Sequence, residues 1–317
     1  MTALNESSLP MNRWSLASLL ILVTVLAYLP AMNGEFVWDD DMHLTDNIVL
    51  KEDGLYRVWF TTDSTNYWPV TFSSYWIEYQ FWGLDSTGFH VTNLVIHILC
   101  TLFIWHILHQ LDIPGAWLAS LVFAIHPVNV ESVAWITQRK NLLSLLFYLV
   151  ALTIYLRFDR RGNRWWYWLS LFAFAVALLS KSHVVVLPVV LLLCIWWLRG
   201  SISRKDLYRS LPFFACALAI GTLEIWFQNK TIDTDNVREH SFWERLALAG
   251  WAFWFYLSKV MLPMNLCFVY PRWEIDPMNW LSYVPGVLLV GSFWILWRHR
   301  RYAGKSALFA FGYYLIT

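Results

Sequence analysis

The segment Trp14–Gly34, WSLASLLILVTVLAYLPAMNG, contains no Asp, Glu, Lys or Arg and follows directly after Arg13. A helix needs roughly 20 apolar residues to cross the hydrocarbon core of a bilayer, so this segment predicts a membrane span. The apolar stretch is long and no clean small-residue cleavage site follows it, which favours a retained span over a secretory signal. Seven further charge-free runs predict an all-α, polytopic transmembrane bundle of about eight spans: Ser86–Leu111, Ile113–Val130, Asn141–Leu156, Trp165–Ser180, Ser182–Leu198, Ser210–Leu223 and Pro277–Trp297.

The composition agrees with this interpretation. Of the 317 residues, 58% are hydrophobic and only 14% are charged, whereas soluble domains carry roughly 25% charged residues. The 23 basic and 22 acidic residues nearly cancel, so no global field favours nucleic acid as a partner. The four cysteines are scattered through apolar segments, and their spacing indicates neither a disulfide framework nor a zinc site. The sequence therefore predicts an integral membrane protein whose main surroundings are the lipid bilayer.

Basic clusters predict the orientation of the spans, because cytoplasmic loops carry an excess of Lys and Arg. Three such clusters are assigned to the cytoplasm: Arg157, Arg160, Arg161 and Arg164; Arg199, Arg204, Lys205 and Arg209; and Arg298, Arg300, Arg301 and Lys305. Three apolar stretches separate the last two clusters, and an even number of crossings is needed. We therefore expect the shortest stretch, Leu246–Ser258, to be an interfacial or re-entrant helix at the outer face. The last apolar run starts at Ser306 and is still hydrophobic at Thr317, so we expect a truncated last span.

The predicted outer segment 35–85 is too long for a simple connector and is rich in Trp and Tyr, as is typical of interfacial helices. It opens with the adjacent carboxylates Asp39, Asp40 and Asp41, close to the end of the first span. Such a group suits either a general base or a ligand for a divalent cation. The alternative is a helix cap followed by solvated acids. A second outer segment, 228–276, contains the predicted interfacial helix.

Cations on the outer side depart from the orientation rule. Arg139 and Lys140 stand where the fourth span begins, and Lys181 lies in a tight turn between two spans. Cations at such a boundary can hold a lipid-linked phosphate or pyrophosphate. The alternative is that their side chains extend to the lipid headgroups.

Polar residues within the second and third spans form two further candidate groups. His90, Asn93 and His97 share one face of a helix, where interhelical hydrogen bonding and substrate binding both remain open. His126 and Glu131 together could bind an acceptor or a metal, although two ligands make a weak metal site. Asp39 and Asp40 are the other candidate metal ligands.

Ordered motifs along the chain resemble those of one known family. The motifs, in chain order, are Phe36-Val37-Trp38-Asp39-Asp40, Trp68-Pro69-Val70-Thr71, Phe81-Trp82-Gly83-Leu84-Asp85, Phe89-His90-Val91-Thr92-Asn93, His126-Pro127-Val128-Asn129-Val130-Glu131-Ser132-Val133-Ala134-Trp135, Arg139-Lys140-Asn141 and Leu179-Ser180-Lys181. In this order they resemble the transmembrane-and-TPR-containing O-mannosyltransferases and their bacterial TPR-bearing relatives.

The resemblance implies a GT-C fold, with residues 1–317 forming one membrane domain and a C-terminal tetratricopeptide part missing. It also implies an inverting glycosyltransferase that uses a polyprenyl-phosphate-linked sugar, such as mannose, and a protein or glycan hydroxyl as acceptor. Carried onto this chain, the catalytic acidic residue is Asp39 or Asp40, which would deprotonate the acceptor hydroxyl, and Arg139, Lys140 or Lys181 steadies the departing lipid phosphate. A divalent cation is compatible with the paired carboxylates. In a bacterium the protein would lie in the plasma (inner) membrane with its active site facing outward.

Two alternatives belong to other classes of protein. A non-catalytic scaffold that anchors a TPR interaction domain would not depend on Asp39 or Asp40. A transporter would need polar groups along a path across the bilayer, whereas the ionisable groups of this chain gather at one face. Walker A, GxGxxG, HExxH and GxSxG motifs do not occur in the sequence, which removes support for nucleotide-driven transport and common hydrolase chemistry.

Overall fold

The computed structural model describes residues 12–47, 54–62, 66–231, 241–300 and 304–317. The described part of the chain contains helices, turns and loops but no strand, with 82% of residues helical. The prediction of an all-α membrane protein is therefore confirmed. Parts of the predicted outer segments 35–85 and 228–276, together with Arg301, lie outside the described residues.

Thirteen α-helices follow one another in the described part of the chain. They are α1 (Arg13–Tyr28), α2 (Gly54–Phe60), α3 (Pro69–Trp82), α4 (Ser86–Gln110), α5 (Ala116–Ile125), α6 (Val130–Ala134), α7 (Arg139–Arg161), α8 (Arg164–Ser180), α9 (Leu187–Arg199), α10 (Arg204–Thr231), α11 (Phe242–Met261), α12 (Val284–Arg298) and α13 (Gly304–Ile316). Short 3-10 turns extend several of these helices at their N-terminal ends, and a π-helical turn covers Asp41–Thr45.

Six helical segments among the described residues are long and apolar enough to cross a membrane: Arg13–Asn33, Ser86–Gln110, Ile136–Arg161, Ser182–Arg199, Arg204–Lys230 and Trp280–Arg298. Ala116–Ile125 and Pro127–Ala134 form a seventh if this pair, which is bent by 49°, is one broken span. The remaining predicted run, Trp165–Ser180, lies on α8, whose 17 residues are at the lower limit for a span. The number of eight spans therefore stays a prediction.

The chain divides into two compact units, which are described separately. The first comprises Met1–Cys194 and Ile202–Thr231, and the second comprises Ile195–Ser201 and Ile232–Thr317. The prediction that residues 1–317 form a single membrane domain stays a prediction.

In the first unit, α7 and α8 form a helical hairpin. Gly162 ends α7 with a left-handed backbone (φ 72°), a conformation that glycine adopts without a Cβ penalty. The Asn163 side chain then accepts a hydrogen bond from the Trp165 N–H and caps α8. Because the turn is this short, the C-terminal end of α8 returns to the end of the unit where α7 begins.

An aromatic core fixes the chain that follows the first span. Leu44, Val58, Trp68, Phe72, Tyr75, Phe89 and Ile136 are buried together, with Phe36, Trp59 and Trp76 packed against them. This core joins the turn after α1, helices α2 to α4 and the start of the 136–161 span. Burial of such large rings stabilises the arrangement by roughly 1.5–3 kcal/mol for each side chain, which holds Asp39 and Asp40 against the first turns of α7.

In the second unit, α11 and α12 approach each other closely. A Cβ atom placed on Gly250 would lie 2.7 Å from the backbone nitrogen of Gly286, so only glycine fits there. The predicted interfacial stretch Leu246–Ser258 lies within α11, which has 20 residues and is longer than expected. Its placement at the membrane interface stays a prediction. The apolar run from Ser306 forms most of α13.

Candidate functional site

Asp40 fastens the turn after the first span to the start of α7. Its side chain is fully buried; Oδ2 accepts a hydrogen bond from the Val37 N–H (2.9 Å) and Oδ1 accepts one from the Thr137 N–H (2.9 Å). Burial raises the pKa of this carboxyl group, while the two backbone hydrogen bonds act in the opposite direction. Because both oxygens are engaged by backbone amides, Asp40 is suited to positioning its neighbours.

Asp39 is the more accessible of the two predicted carboxylates. Its side chain is only partly buried, and it interacts electrostatically with Lys140 and with His43. His43 is itself buried against Trp68 and Phe72. Burial lowers the pKa of His43 to about 4, with repulsion from Lys140 as a second cause, so its ring is neutral at physiological pH. Asp39 is therefore an accessible carboxylate beside a buried cation.

Arg139 is enclosed by protein on every side. Its Nη1 lies 2.7 Å from Glu78 Oε2, its Nε donates to Asn93 Oδ1 (2.8 Å) and its Nη2 donates to the Phe89 carbonyl (2.9 Å). The guanidinium carbon is 4.9 Å from the centre of the Tyr75 ring. Burial raises the pKa of Glu78, and the charge of Arg139 opposes that shift. These contacts place Arg139 in a buried ion pair that joins α3 to α7, at a distance from the accessible surface.

The polar stripe on α4 makes hydrogen bonds to other segments of the first unit. His90 Nε2 donates to the Gly34 carbonyl (3.1 Å), and His97 Nε2 donates to the Ala124 carbonyl (3.0 Å), since a carbonyl can only accept. Asn93 Nδ2 lies 3.3 Å from each of three carbonyls, those of Val133, Trp135 and Ile136. Of the two roles that the sequence left open, these contacts favour packing, and they hold the turn that leads into α7.

Lys140 follows Arg139 at the start of α7 and contacts the aromatic core. Its Nζ lies 4.9 Å from the centre of the Trp68 ring, a cation–π contact, and the residue is almost completely buried. It interacts electrostatically with Asp39, Asp40 and Glu131. A positive charge is thus held within reach of the accessible carboxylate.

Lys181 approaches the same place from the end of α8. Its Nζ donates to Asn141 Oδ1 (2.6 Å), and the Asn141 amide is held in turn by Gln138 Oε1 (2.8 Å). Burial lowers the pKa of Lys181 to about 8; repulsion from Lys140 adds to that shift, while Glu131 and Glu224 oppose it. The structure therefore brings together two of the three predicted cations.

Glu224 is a site residue that the sequence prediction missed. It lies on α10, almost completely buried, and its carboxylate accepts hydrogen bonds from the Tyr67 N–H (3.2 Å) and from Gln228 Nε2 (3.1 Å). Its position near the end of an apolar run was the available signal. The sequence prediction also missed Trp68 and Glu78, because the charged partner of each lies far away in the sequence.

We call Asp39, Asp40, Glu131, Lys140, Lys181 and Glu224 the charged cluster.

His126 and Glu131 have separate roles in the structure. His126 Nδ1 accepts a hydrogen bond from the Val128 N–H (3.3 Å) and caps the turn there. Glu131 is exposed and interacts electrostatically with Lys140 and Lys181. Across the described ranges, no group of three or more His, Cys, Asp or Glu residues could hold a metal ion. Asp39 and Asp40 together offer only two carboxylate groups, and both oxygens of the Asp40 carboxylate already accept hydrogen bonds from backbone amides.

Comparison with known proteins identifies the family. Residues 69–227 match the sequence profile of a family described as dolichyl-phosphate-mannose-protein mannosyltransferase, and this match covers half of the chain. The chain belongs to this mannosyltransferase family. Glu78, Arg139, Lys140, Lys181 and Glu224 all lie within the matched residues. Asp39 and Asp40 precede them.

Individual relatives are similar over half of this chain or more. A protein O-mannosyl-transferase of Caenorhabditis elegans is 29% identical over 279 residues, which cover 80% of this chain and 38% of that protein. Protein O-mannosyl-transferase TMTC4 of Mus musculus is 30% identical over 51% of this chain and 26% of its own length, and TMTC3 of Homo sapiens is 26% identical over 56% and 21%. The chain thus spans well under half the length of these relatives. No solved structure matches it.

Proposed function

We propose that this chain carries the catalytic membrane part of a mannosyltransferase that moves mannose from a polyprenyl-phosphate carrier to a protein hydroxyl. The observation that carries the proposal is the charged cluster, in which the accessible Asp39 carboxylate interacts with the buried ammonium group of Lys140, and Lys140 in turn lies close to the half-buried Lys181. Membership of a mannosyltransferase family supports the sugar and the protein acceptor.

Lys140 and Lys181 would bind the phosphate of the donor. When the glycosidic bond breaks, negative charge develops on the departing polyprenyl phosphate, and fixed cations in a water-poor site stabilise that charge. The polyprenyl tail stays in the bilayer while the phosphate lies at the membrane boundary. Arg139 was predicted as a third phosphate ligand, but its guanidinium group is fully engaged by Glu78, Asn93 and Phe89. We therefore propose that Arg139 positions the neighbouring Lys140.

Asp39 would act as the general base. It accepts the proton of the acceptor hydroxyl while the hydroxyl oxygen attacks the anomeric carbon from the side opposite to the phosphate. A new carbon–oxygen bond forms, the bond to the phosphate oxygen breaks, and the anomeric configuration inverts. Asp40 positions Asp39 by fastening the turn that carries it, through the Val37 N–H, to the Thr137 N–H just before α7. The proposal routes no step through a divalent cation, because one of the two predicted ligands, Asp40, has both carboxylate oxygens bonded to backbone amides.

The location of the reaction follows from the predicted orientation. With the basic clusters in the cytoplasm, the charged cluster lies at the outer face of the membrane, which in a bacterium is the plasma membrane. Donor and acceptor would then meet outside the cell or in a lumen.

Transfer of labelled mannose from a polyprenyl phosphate to a Ser- and Thr-containing peptide tests the proposal. Membranes containing the wild type, Asp39→Asn, Asp40→Asn or Asp41→Asn are compared at equal expression. We expect Asp39→Asn to reduce transfer by at least about 10²-fold, the lower range for loss of a general base. Asp41 is exposed and outside the charged cluster, so Asp41→Asn is the matched control and should transfer normally.

Normal transfer by Asp39→Asn would show that another group is the base. Absence of transfer by the wild type with several lipid-linked sugars would favour the non-catalytic scaffold.

A further inference from the structure

Trp38 has a backbone conformation that is unusual for a bulky residue. Its φ is 52°, in the left-handed region, where contact between Cβ and the carbonyl oxygen disfavours L-residues. Among the described residues, the other non-glycine positions with positive φ are Asp112 and Asn265, whose short polar side chains tolerate this conformation. Trp38 has no such tolerance, so the surrounding structure must impose its conformation.

Hydrogen bonds on both sides of Trp38 impose that conformation. The preceding residue, Val37, donates its N–H to Asp40 Oδ2 (2.9 Å), and its carbonyl accepts from the Asp40 N–H (3.0 Å) and from Trp135 Nε1 (3.2 Å). The Trp38 carbonyl accepts from the Asp41 N–H (3.2 Å). Strained backbone of this kind persists where the surroundings over-determine it, and it concentrates at functional sites.

The strained turn presents the indole on the accessible side of the charged cluster. Trp38 is 68% exposed, and its neighbours Val37 and Met42 are also exposed, while Lys140 is almost completely buried. The next residue is Asp39. The accessible carboxylate of Asp39 therefore interacts with a buried cation, Lys140, and directly follows an exposed aromatic residue in the chain.

We propose that Trp38 forms part of the binding surface for the acceptor polypeptide, with its indole packing against residues that flank the reacting hydroxyl. This proposal rests on the proposed function, which assigns the buried cations to the donor and so leaves the exposed side of Asp39 to the acceptor. A tryptophan supplies a large, rigid contact that tolerates both apolar and polar neighbours.

An interfacial anchor is the simpler explanation for an exposed tryptophan in a membrane protein. A membrane anchor requires only that the indole lie at the correct depth in the bilayer interface. An unstrained backbone would place it there equally well. The hydrogen bonds that force Trp38 into the left-handed region fix the direction in which its side chain leaves the backbone, next to Asp39. A fixed direction matters for binding a partner at the site, and it favours the acceptor over the lipid.

Two substitutions distinguish the contribution of the indole ring from that of the left-handed backbone. Trp38→Gly removes the indole but suits a left-handed backbone, so the variant should fold with equal or higher thermal stability. Trp38→Phe keeps an aromatic ring. Trp165→Ala is the matched control, because Trp165 is also exposed but lies at the opposite end of α8 from Lys181.

The kinetic test measures mannose transfer from polyprenyl-phosphate mannose to a Ser- and Thr-containing peptide. We expect Trp38→Gly to raise the KM for the peptide by at least about tenfold, the size of a moderate contact hot spot. The KM for the donor should stay unchanged. Trp38→Phe should raise the peptide KM less than Trp38→Gly does, and Trp165→Ala should resemble the wild type. An unchanged peptide KM for Trp38→Gly, or a change confined to the donor KM, would overturn the proposal.

A binding measurement without donor separates this proposal from the proposed function. Fluorescence anisotropy of a labelled Ser- and Thr-containing peptide should show weaker binding to Trp38→Gly than to the wild type in the same nanodiscs. If the wild type transfers no mannose but still binds the peptide more tightly than Trp38→Gly does, the proposed catalytic function fails and the proposed peptide-binding surface stands. Equal binding by the two proteins would overturn the peptide surface, whatever the transfer assay shows.

Discussion

The ammonium group of Lys181 has an unusual environment for a lysine near a membrane boundary. It is half-buried, it donates to the Asn141 amide, and it lies close enough to Lys140 for mutual repulsion. Burial and this repulsion lower the pKa of Lys181 to about 8. Its positive charge is therefore present below pH 8 and is lost as the pH rises through that value. A donor phosphate would favour the charged form and be bound best below it.

The ionisation of Lys181 should accordingly cause the decrease of kcat/KM for the donor at alkaline pH, the alkaline limb of the pH profile. We expect kcat/KM for the donor to fall as the pH rises above about 8, because kcat/KM reports the ionisation of the free enzyme. Lys181→Gln should lower kcat/KM by about 10²-fold and abolish that limb. Lys230→Gln, at an exposed lysine near the end of α10, is the control and should keep the limb. A limb that survives in Lys181→Gln would assign it to another group.

Trp68 should influence donor binding through Lys140. The indole lies under the Lys140 ammonium group, a contact worth about 0.5–2 kcal/mol and one that a phenyl ring can partly replace. We expect Trp68→Leu to raise the donor KM by roughly three- to tenfold and Trp68→Phe to raise it less. Steady-state kinetics with varied donor measures this. Equal KM values for the two variants would show that the ring face has no part in holding Lys140.

At the scale of elements, the ion pair between Glu78 and Arg139 joins α3 to α7. Neither residue is accessible, so removing one partner leaves a buried charge without compensation. Glu78→Gln should lower the free energy of unfolding by about 3–5 kcal/mol. The double variant Glu78→Met with Arg139→Met should recover most of that loss, because no unpaired charge remains. Unfolding curves in detergent test both. A double variant less stable than Glu78→Gln would show that the pair is needed for more than charge compensation.

The sequence was informative about elements and much less so about the contacts between them. Apolar runs predicted the long helices because a segment that crosses lipid needs about 20 consecutive apolar residues. The run Ser86–Leu111, for example, corresponds to α4 in the structure. Asp39, Asp40, Lys140 and Lys181 were singled out because charge beside a predicted span is a local signal. The pairing of Glu78 with Arg139, and of Glu224 with Tyr67, depends on the fold bringing distant residues together. A single sequence contains no local pattern for that, so Arg139 was grouped with the accessible cations.

At the scale of the whole molecule, the predicted orientation can be tested with the cysteines already present. Cys267 is exposed and lies in the predicted outer segment 228–276, while Cys100 and Cys194 are buried and Cys216 is only partly exposed. We expect a membrane-impermeant maleimide to label Cys267 in intact cells, and Cys267→Ser to remove the label. A cysteine placed at Arg161, in the predicted cytoplasmic cluster, should react only after the cells are opened. Labelling of that position in intact cells would reverse the orientation.

The hydrogen bond from the Thr137 N–H to the Asp40 carboxylate also has a consequence for biogenesis. Its two residues are 97 positions apart in the chain. At a synthesis rate of about 5–20 residues per second, Asp40 leaves the ribosome roughly 5–20 s before Thr137 does. During that interval the first span can already be inserted, yet the carboxylate has no partner from the start of α7. The charged cluster can therefore assemble only after Thr137 has been synthesised. A translational pause between the two residues would lengthen the period in which this segment is open to proteases and chaperones.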